Sequence, residues 1–171
     1  MLKYTETQVS FSEVPEEIAL CINISGCPIH CKGCHSPHLW ENIGKELDVE
    51  VLSEIIEKNS GVTCIAFMGG DAAPEEVKAL AKWVKDNTEL ETCWYSGREF
   101  LNPFEHHYDY FDYVKIGPYK EDKGGLDKPT TNQRFYKVEH KGKGKKTHLL
   151  FNDITFKFRN NETNNKSESA D

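Results

Sequence analysis

VTCIAFMGGDAAPEEVKALAKWV, residues 62–84, carries a strand, a turn and a helix in one continuous run. Val62 to Met68 is apolar at both parities, as a strand buried on both faces should be. Gly69-Gly70-Asp71 breaks the run at once. Pro74 then opens a helix in which Val77, Leu80, Ala81 and Val84 recur at helical spacing.

The same grammar extends outward in both directions. Upstream, Ile18 to Ile24 (IALCINI) is an apolar run of strand length that ends at Ser25-Gly26. Asp48 caps a helix expected through about Lys58, with Val51, Leu52, Ile55 and Ile56 on one face, and Gly61 closes it. Downstream, Thr92 to Tyr95 is a strand followed by Ser96-Gly97, and Tyr113 to Ile116 is another followed by Gly117-Pro118. Arg134 to Val138 and His148 to Thr155 add two further strand candidates. Strands alternating with helices predict an α/β fold with a parallel sheet. Ligands in such folds bind at the carboxyl ends of the strands, where the glycine-containing loops fall here.

The 171 residues suit one domain, expected over 1–158, with a core large enough to need no disulfide staples. The stretch 140–147, HKGKGKKT, is a basic glycine-rich loop. The segment 159–171 is polar and expected to be disordered. The formal net charge of −7 argues against nucleic acid and against an anionic membrane surface. No apolar stretch approaches a membrane span, and the N-terminus lacks a basic start followed by an apolar run. The expected compartment is therefore the cytoplasm, where thiols stay reduced.

Six cysteines in a reducing compartment point to a metal or redox site. Cys27-Pro-Ile-His-Cys31-Lys-Gly-Cys34 is a C-x3-C-x2-C array, and three thiolates so close can converge on one side of a loop. Iron–sulfur clusters are held by cysteine thiolates, and three thiolates on a four-iron cubane leave one iron open for a small molecule. Zinc is the other reading of this spacing, because His30, His35 and His38 stand nearby and Cys3His is a zinc set. Cys21, Cys64 and Cys93 each fall in a strand candidate and read as core thiols.

Five segments carry a family resemblance: GCPIHCKGCHSPHLW at 26–40, MGGD at 68–71, YSGRE at 95–99, VKIGPY at 114–119 and GGLDKPTTNQRFYKV at 124–138. With them the chain resembles the radical S-adenosylmethionine enzymes. CHSPHLW and PTTNQRFY narrow the likeness to the activating proteins of anaerobic (class III) ribonucleoside-triphosphate reductases. The resemblance implies a partial, open (β/α) barrel and two cofactors, a [4Fe-4S] cluster and S-adenosyl-L-methionine. Cys27, Cys31 and Cys34 would hold the cluster and act as the catalytic centre. Gly33, Cys34 and His35 would lie along the adenine, Gly69 and Gly70 would admit the methionyl end, Asp71 would meet its ammonium group, and Ser96-Gly97 would line the ribose. Reductive cleavage of the sulfonium would give methionine and a 5′-deoxyadenosyl radical, which would take hydrogen from a glycine of the reductase.

The partners so implied are the large glycyl-radical subunit and an electron donor of the flavodoxin or ferredoxin type. Gly33 stands where many superfamily members carry an aromatic, a departure the reductase activases share, and His35 stands where some carry tyrosine. Lys115, Asn132, Gln133 and Arg134 fall in matching segments without individual roles. A small-molecule radical enzyme of the deazapurine-synthesis type and a structural zinc module are the alternatives. The former needs a dedicated substrate pocket.

Overall fold

Four runs of the chain are buried along nearly their whole length, and they lie side by side. In the computed structural model, which describes residues 1–102, 106–142 and 148–159, these are β2 (Ala19–Ile24), β4 (Cys64–Met68), β5 (Glu91–Tyr95) and β6 (Tyr113–Ile116). They run parallel in that order, with Leu20 beside Ile65, Ile65 beside Thr92 and Cys93 beside Tyr113. Strands covered on both faces need apolar side chains at both parities, and IALCINI and VTCIAFM supply them.

The parallel sheet expected from the alternation is realised only at this centre. The flanks are antiparallel. On one side β1 (Lys3–Ser10) pairs with β2, and the two-residue β3 (Lys45–Glu46) pairs with β1. On the other, β7 (Arg134–Lys141) returns along β6 and β8 (His148–Asp153) along β7. The order across the eight described strands is β3-β1-β2-β4-β5-β6-β7-β8.

Two helices occupy the crossovers. α1 (Val49–Glu57) begins where Asp48 accepts a hydrogen bond from the Val51 amide at 2.9 Å, a cap worth about 1 kcal/mol. α2 (Pro74–Asn87) starts on proline, whose missing N–H costs nothing in a first turn. Their apolar stripes, Leu52 and Ile55 from α1 and Val77, Leu80, Ala81 and Val84 from α2, pack on one face of the sheet over Leu20, Ile22, Ile65, Phe67 and Val114. Trp94 is fully buried there, its ring stacked on Phe111 with centroids 5.6 Å apart.

The opposite face has a different character. Its central strands present small side chains: Ala19, Cys21, Cys64, Ala66 and Cys93. Val14, Leu126, Phe135 and Phe158 pack against them from the loop after β1, the loop before β7, β7 itself and the chain after β8. Period-2 alternation puts Cys21, Cys64 and Cys93 together on this face. Burial pushes the Cys21 thiol up to about 12 and raises Cys64 and Cys93 well above the ordinary thiol value, which keeps all three protonated. Their reading as core cysteines holds. The tail at 160–171 and most of the basic loop, 143–147, lie outside the described residues. Among the described residues no helix is long and apolar enough to cross a membrane.

Candidate metal centre

The crossover from β2 to α1 leaves the sheet at Ser25 and carries the cysteine array. Two backbone hydrogen bonds join its limbs: Gly26 N–H to the Glu41 carbonyl at 3.0 Å and Cys27 N–H to the Leu39 carbonyl at 2.9 Å. Ser25, itself buried, donates its hydroxyl to the Ile43 carbonyl at 2.6 Å. Between these limbs the backbone reverses sharply. His30 takes a left-handed φ of 52°, unusual for a residue with a side chain, and Gly33 takes 76°. The Cys34 amide bonds the Cys31 carbonyl at 3.1 Å, which places these two cysteines one turn apart. The Ser36 amide donates to the Cys34 sulfur at 3.4 Å. All three loop thiols are free and half-exposed, the reverse of the three in the core.

The neighbouring strand ends hold this loop in place. Asp71, following β4, has a covered side chain, with 4% of it exposed. Its carboxylate accepts from the Ser96 hydroxyl at 2.5 Å and from the Gly97 amide at 2.8 Å, and the Arg98 guanidinium lies 3.7 Å away. Asp71 thus ties the loop after β4 to the loop after β5. Ser96 is fully buried, with its hydroxyl turned to Asp71. Gly97 in turn forms a seat for the cysteine loop: a Cβ there would stand 2.8 Å from Cγ1 of Ile29. Gly69 is needed for similar reasons. Its φ is 112°, and a Cβ would meet the Ile24 carbonyl at 3.0 Å, just where the crossover departs.

Lys115, near the end of β6, is only 8% exposed. Its ammonium donates to the carbonyls of Gly117 at 2.7 Å and Ser96 at 3.3 Å. Burial pulls its pKa down to about 8, opposed by the Asp71 carboxylate and by the Cys31 and Cys27 sulfurs. It is therefore a buried cation facing the thiol loop rather than a solvated lysine. The PTTNQRFY segment resolves into separate parts. Asn132 donates to the Pro118 carbonyl at 3.0 Å, Gln133 is buried, and Arg134 lies 4.0 Å from Asp153 in an exposed ion pair.

Beside the loop, on the small-residue face, lies a cavity of about 700 Å³. Cys34 and His35 form one wall; Tyr95 and Lys115 reach it from β5 and β6, and Gln133 from just before β7; Gly124 to Lys128 close another side. His35 leans on Tyr119, with ring centroids 5.2 Å apart. Gly33 faces a different neighbour, since a Cβ there would collide with the Glu121 side chain. The sequence brought Cys34 and His35 to notice. Tyr119, Ile29 and the burial of Lys115 escaped it. Tyr119 had a signal, an aromatic directly after a strand-ending Gly-Pro.

Among the described residues no three His, Cys, Asp or Glu side chains stand close enough to share one ion. A single zinc would need every ligand within ~2.3 Å of one point. A cubane asks less crowding of its thiolates, because each takes a different iron. Three free thiols on a turned loop, with a backbone N–H already directed at the Cys34 sulfur, suit the cubane. A family model described as a 4Fe-4S single cluster domain matches residues 18–136, more than half of the chain. The chain belongs to this family. A comparison with curated proteins gives no match. The 4Fe-4S single cluster domain sets aside the zinc reading left open by the cysteine spacing, and its span runs from β2 into β7, covering the loop, both helices and the four parallel strands.

Proposed function

We propose that this 4Fe-4S protein is a radical S-adenosylmethionine enzyme, the activase of an anaerobic ribonucleoside-triphosphate reductase. In this reading the eight-stranded sheet is the open, partial (β/α) barrel of that superfamily. One observation carries it: the six cysteines divide into three free thiols on the surface loop and three buried, protonated thiols in the core. A cubane held by Cys27, Cys31 and Cys34 has no fourth cysteine to draw on, so one iron is left for a ligand from solution.

With the cluster and S-adenosylmethionine bound, the cofactors supply one-electron cleavage of the sulfonium and hydrogen abstraction from a glycine of the reductase. The protein's part is to bind, orient and keep water out. The cavity beside Cys34 gives S-adenosylmethionine a place in contact with the cluster loop, with His35 and Tyr119 as apolar faces for the adenine. Lys115 puts positive charge next to the thiolates and can meet the cofactor's carboxylate. Asp71 serves by fixing Ser96 and Gly97, on which Ile29 rests. The glycyl-radical subunit would dock over the open cavity, and a flavodoxin- or ferredoxin-type protein would deliver the electron, in the reducing cytoplasm.

The test is anaerobic reconstitution with iron and sulfide, then S-adenosylmethionine and dithionite, with assay of 5′-deoxyadenosine. About four irons per chain are expected, with cleavage lost in Cys31→Ala. Deuterium placed on the reductase glycine should appear in 5′-deoxyadenosine. Cleavage without that transfer would leave a radical enzyme with another substrate, such as a small molecule. A loaded cluster without cleavage would remove the radical reading altogether.

A further inference from the structure

His30 sits between the first two cysteines of the array in a backbone conformation that a residue with a Cβ adopts only when something holds it there. The holding contact is visible. The imidazole lies flat on the Trp40 indole, with centroids 4.7 Å apart and planes inclined by 14°. Trp40 is itself fixed, because its two neighbours, Leu39 and Glu41, offer the carbonyls that pair with Cys27 and Gly26. The ring is half-buried, and among the described residues its indole N–H has no acceptor, so hydrogen bonding does not account for its placement. We infer that Trp40 is a positioning residue for the iron–sulfur cluster, which it serves by clamping His30 and so fixing the turn that sets Cys27 against Cys31. The inference rests on the reading that these cysteines hold the cluster.

Loss of the clamp leaves the thiols in place but lets the turn relax, so the cluster should leave more easily. A stacked aromatic pair of this kind corresponds to roughly a threefold to tenfold effect on an equilibrium or release rate. In the reconstituted full-length protein, release of iron to a ferrous chelator should be faster by about that factor in Trp40→Ala and in His30→Gly. Glycine accepts the left-handed turn without strain but adds backbone freedom, so His30→Phe, which keeps a ring on the same backbone, is its control and should stay near wild type. Trp40→Phe keeps a ring face and drops the N–H, and should restore slow release. The double variant Trp40→Ala/His30→Gly should be no faster than the worse single, since both remove one contact.

Amide exchange over residues 27–34 in the metal-free protein gives an independent reading. It should rise in Trp40→Ala and His30→Gly and stay at the wild-type level in Trp40→Phe. Unchanged exchange in both deleting variants, Trp40→Phe behaving as Trp40→Ala, or effects that multiply in the double variant would each overturn the inference. Should Trp40→Ala fail to fold, the pair His30→Gly and His30→Phe makes the same comparison, with phenylalanine expected to retain the clamp. The cluster reading fails separately: wild type would then hold no cluster, or Cys31→Ala would keep it, while the exchange experiment would still decide the clamp.

Discussion

Gly97→Ala tests whether the strand-end loops position the cysteine array. Gly97 does not occupy left-handed backbone, so alanine brings no conformational strain and the effect must come from contact. The added Cβ would stand 2.8 Å from Ile29 Cγ1, 3.4 Å from its Cβ and 3.5 Å from its Cγ2. Carbon atoms rest at roughly 3.5–4.0 Å, so Ile29 must retreat by about 0.7–1.2 Å. Ile29 is β-branched and turns little about χ1, so the backbone between Cys27 and Cys31 moves with it. Overpacking of this size costs about 1–3 kcal/mol, which in a chain of this length lowers the melting temperature by roughly 2–12 °C. Thermal unfolding of the metal-free protein measures the first effect, and chelator release from the loaded protein measures the second. Ile29→Ala in the same chain deletes the colliding atoms and should recover most of both losses. A Gly97→Ala protein that melts with the wild type, or a double variant whose losses simply add, would refute the argument.

Three further outcomes are expected. A soluble thiol reagent applied to the native metal-free protein should label Cys27, Cys31 and Cys34 and spare Cys21, Cys64 and Cys93 until denaturant is added, as read by peptide mass spectrometry. Asp71→Ala leaves the Gly97 amide and Ser96 hydroxyl without their acceptor and should cost about 1–3 kcal/mol, with faster iron release, whereas Asp71→Asn should lose less of both. Lys115 binds its proton less tightly folded than unfolded, so its contribution to stability rises with pH from about 8 to the ordinary lysine value of 10.5. The buried thiols act in the opposite sense, because folding keeps their protons on above pH 9, and comparison with Lys115→Met isolates the lysine. The stability difference between wild type and Lys115→Met should therefore shift in favour of wild type as pH rises through that window, by on the order of 3 kcal/mol in all. A pH-independent difference would show that the ammonium is solvated.

What could be read from the chain alone follows from what sequence encodes locally. β2, β4 and both helices were legible because burial on two faces, a capping aspartate and a proline at a first turn leave marks within a few residues. β1 was missed because KYTETQVS has no apolar alternation: its burial is slight, and pairing with β2 holds it. β3 is two exposed residues with no signal at all. The antiparallel flanks were invisible for a related reason, since strand direction depends on how long connections run through space. The cysteine array is legible as a candidate site, because ligand spacing is itself local. Its supports are not. Asp71 and Ser96 are 25 residues apart in sequence, and Ile29 meets Gly97 from still farther away. MGGD and YSGRE announced two loops at strand ends; only the folded chain showed that one is braced by the other.

The paired limbs at Gly26–Cys27 and Leu39–Glu41 bear on how the protein matures. A loop whose ends are already joined has surrendered most of its closure entropy before any iron arrives, so loading need not supply it. The sheet, its helices and the neck of the loop can all form from backbone and apolar contacts alone. On the proposed reading, metal insertion then becomes a late event on a finished scaffold, and the eleven residues between the limbs, 28–38, amount to a module. If the loop holds the cluster, as proposed, it could be emptied and refilled without the rest of the molecule unfolding.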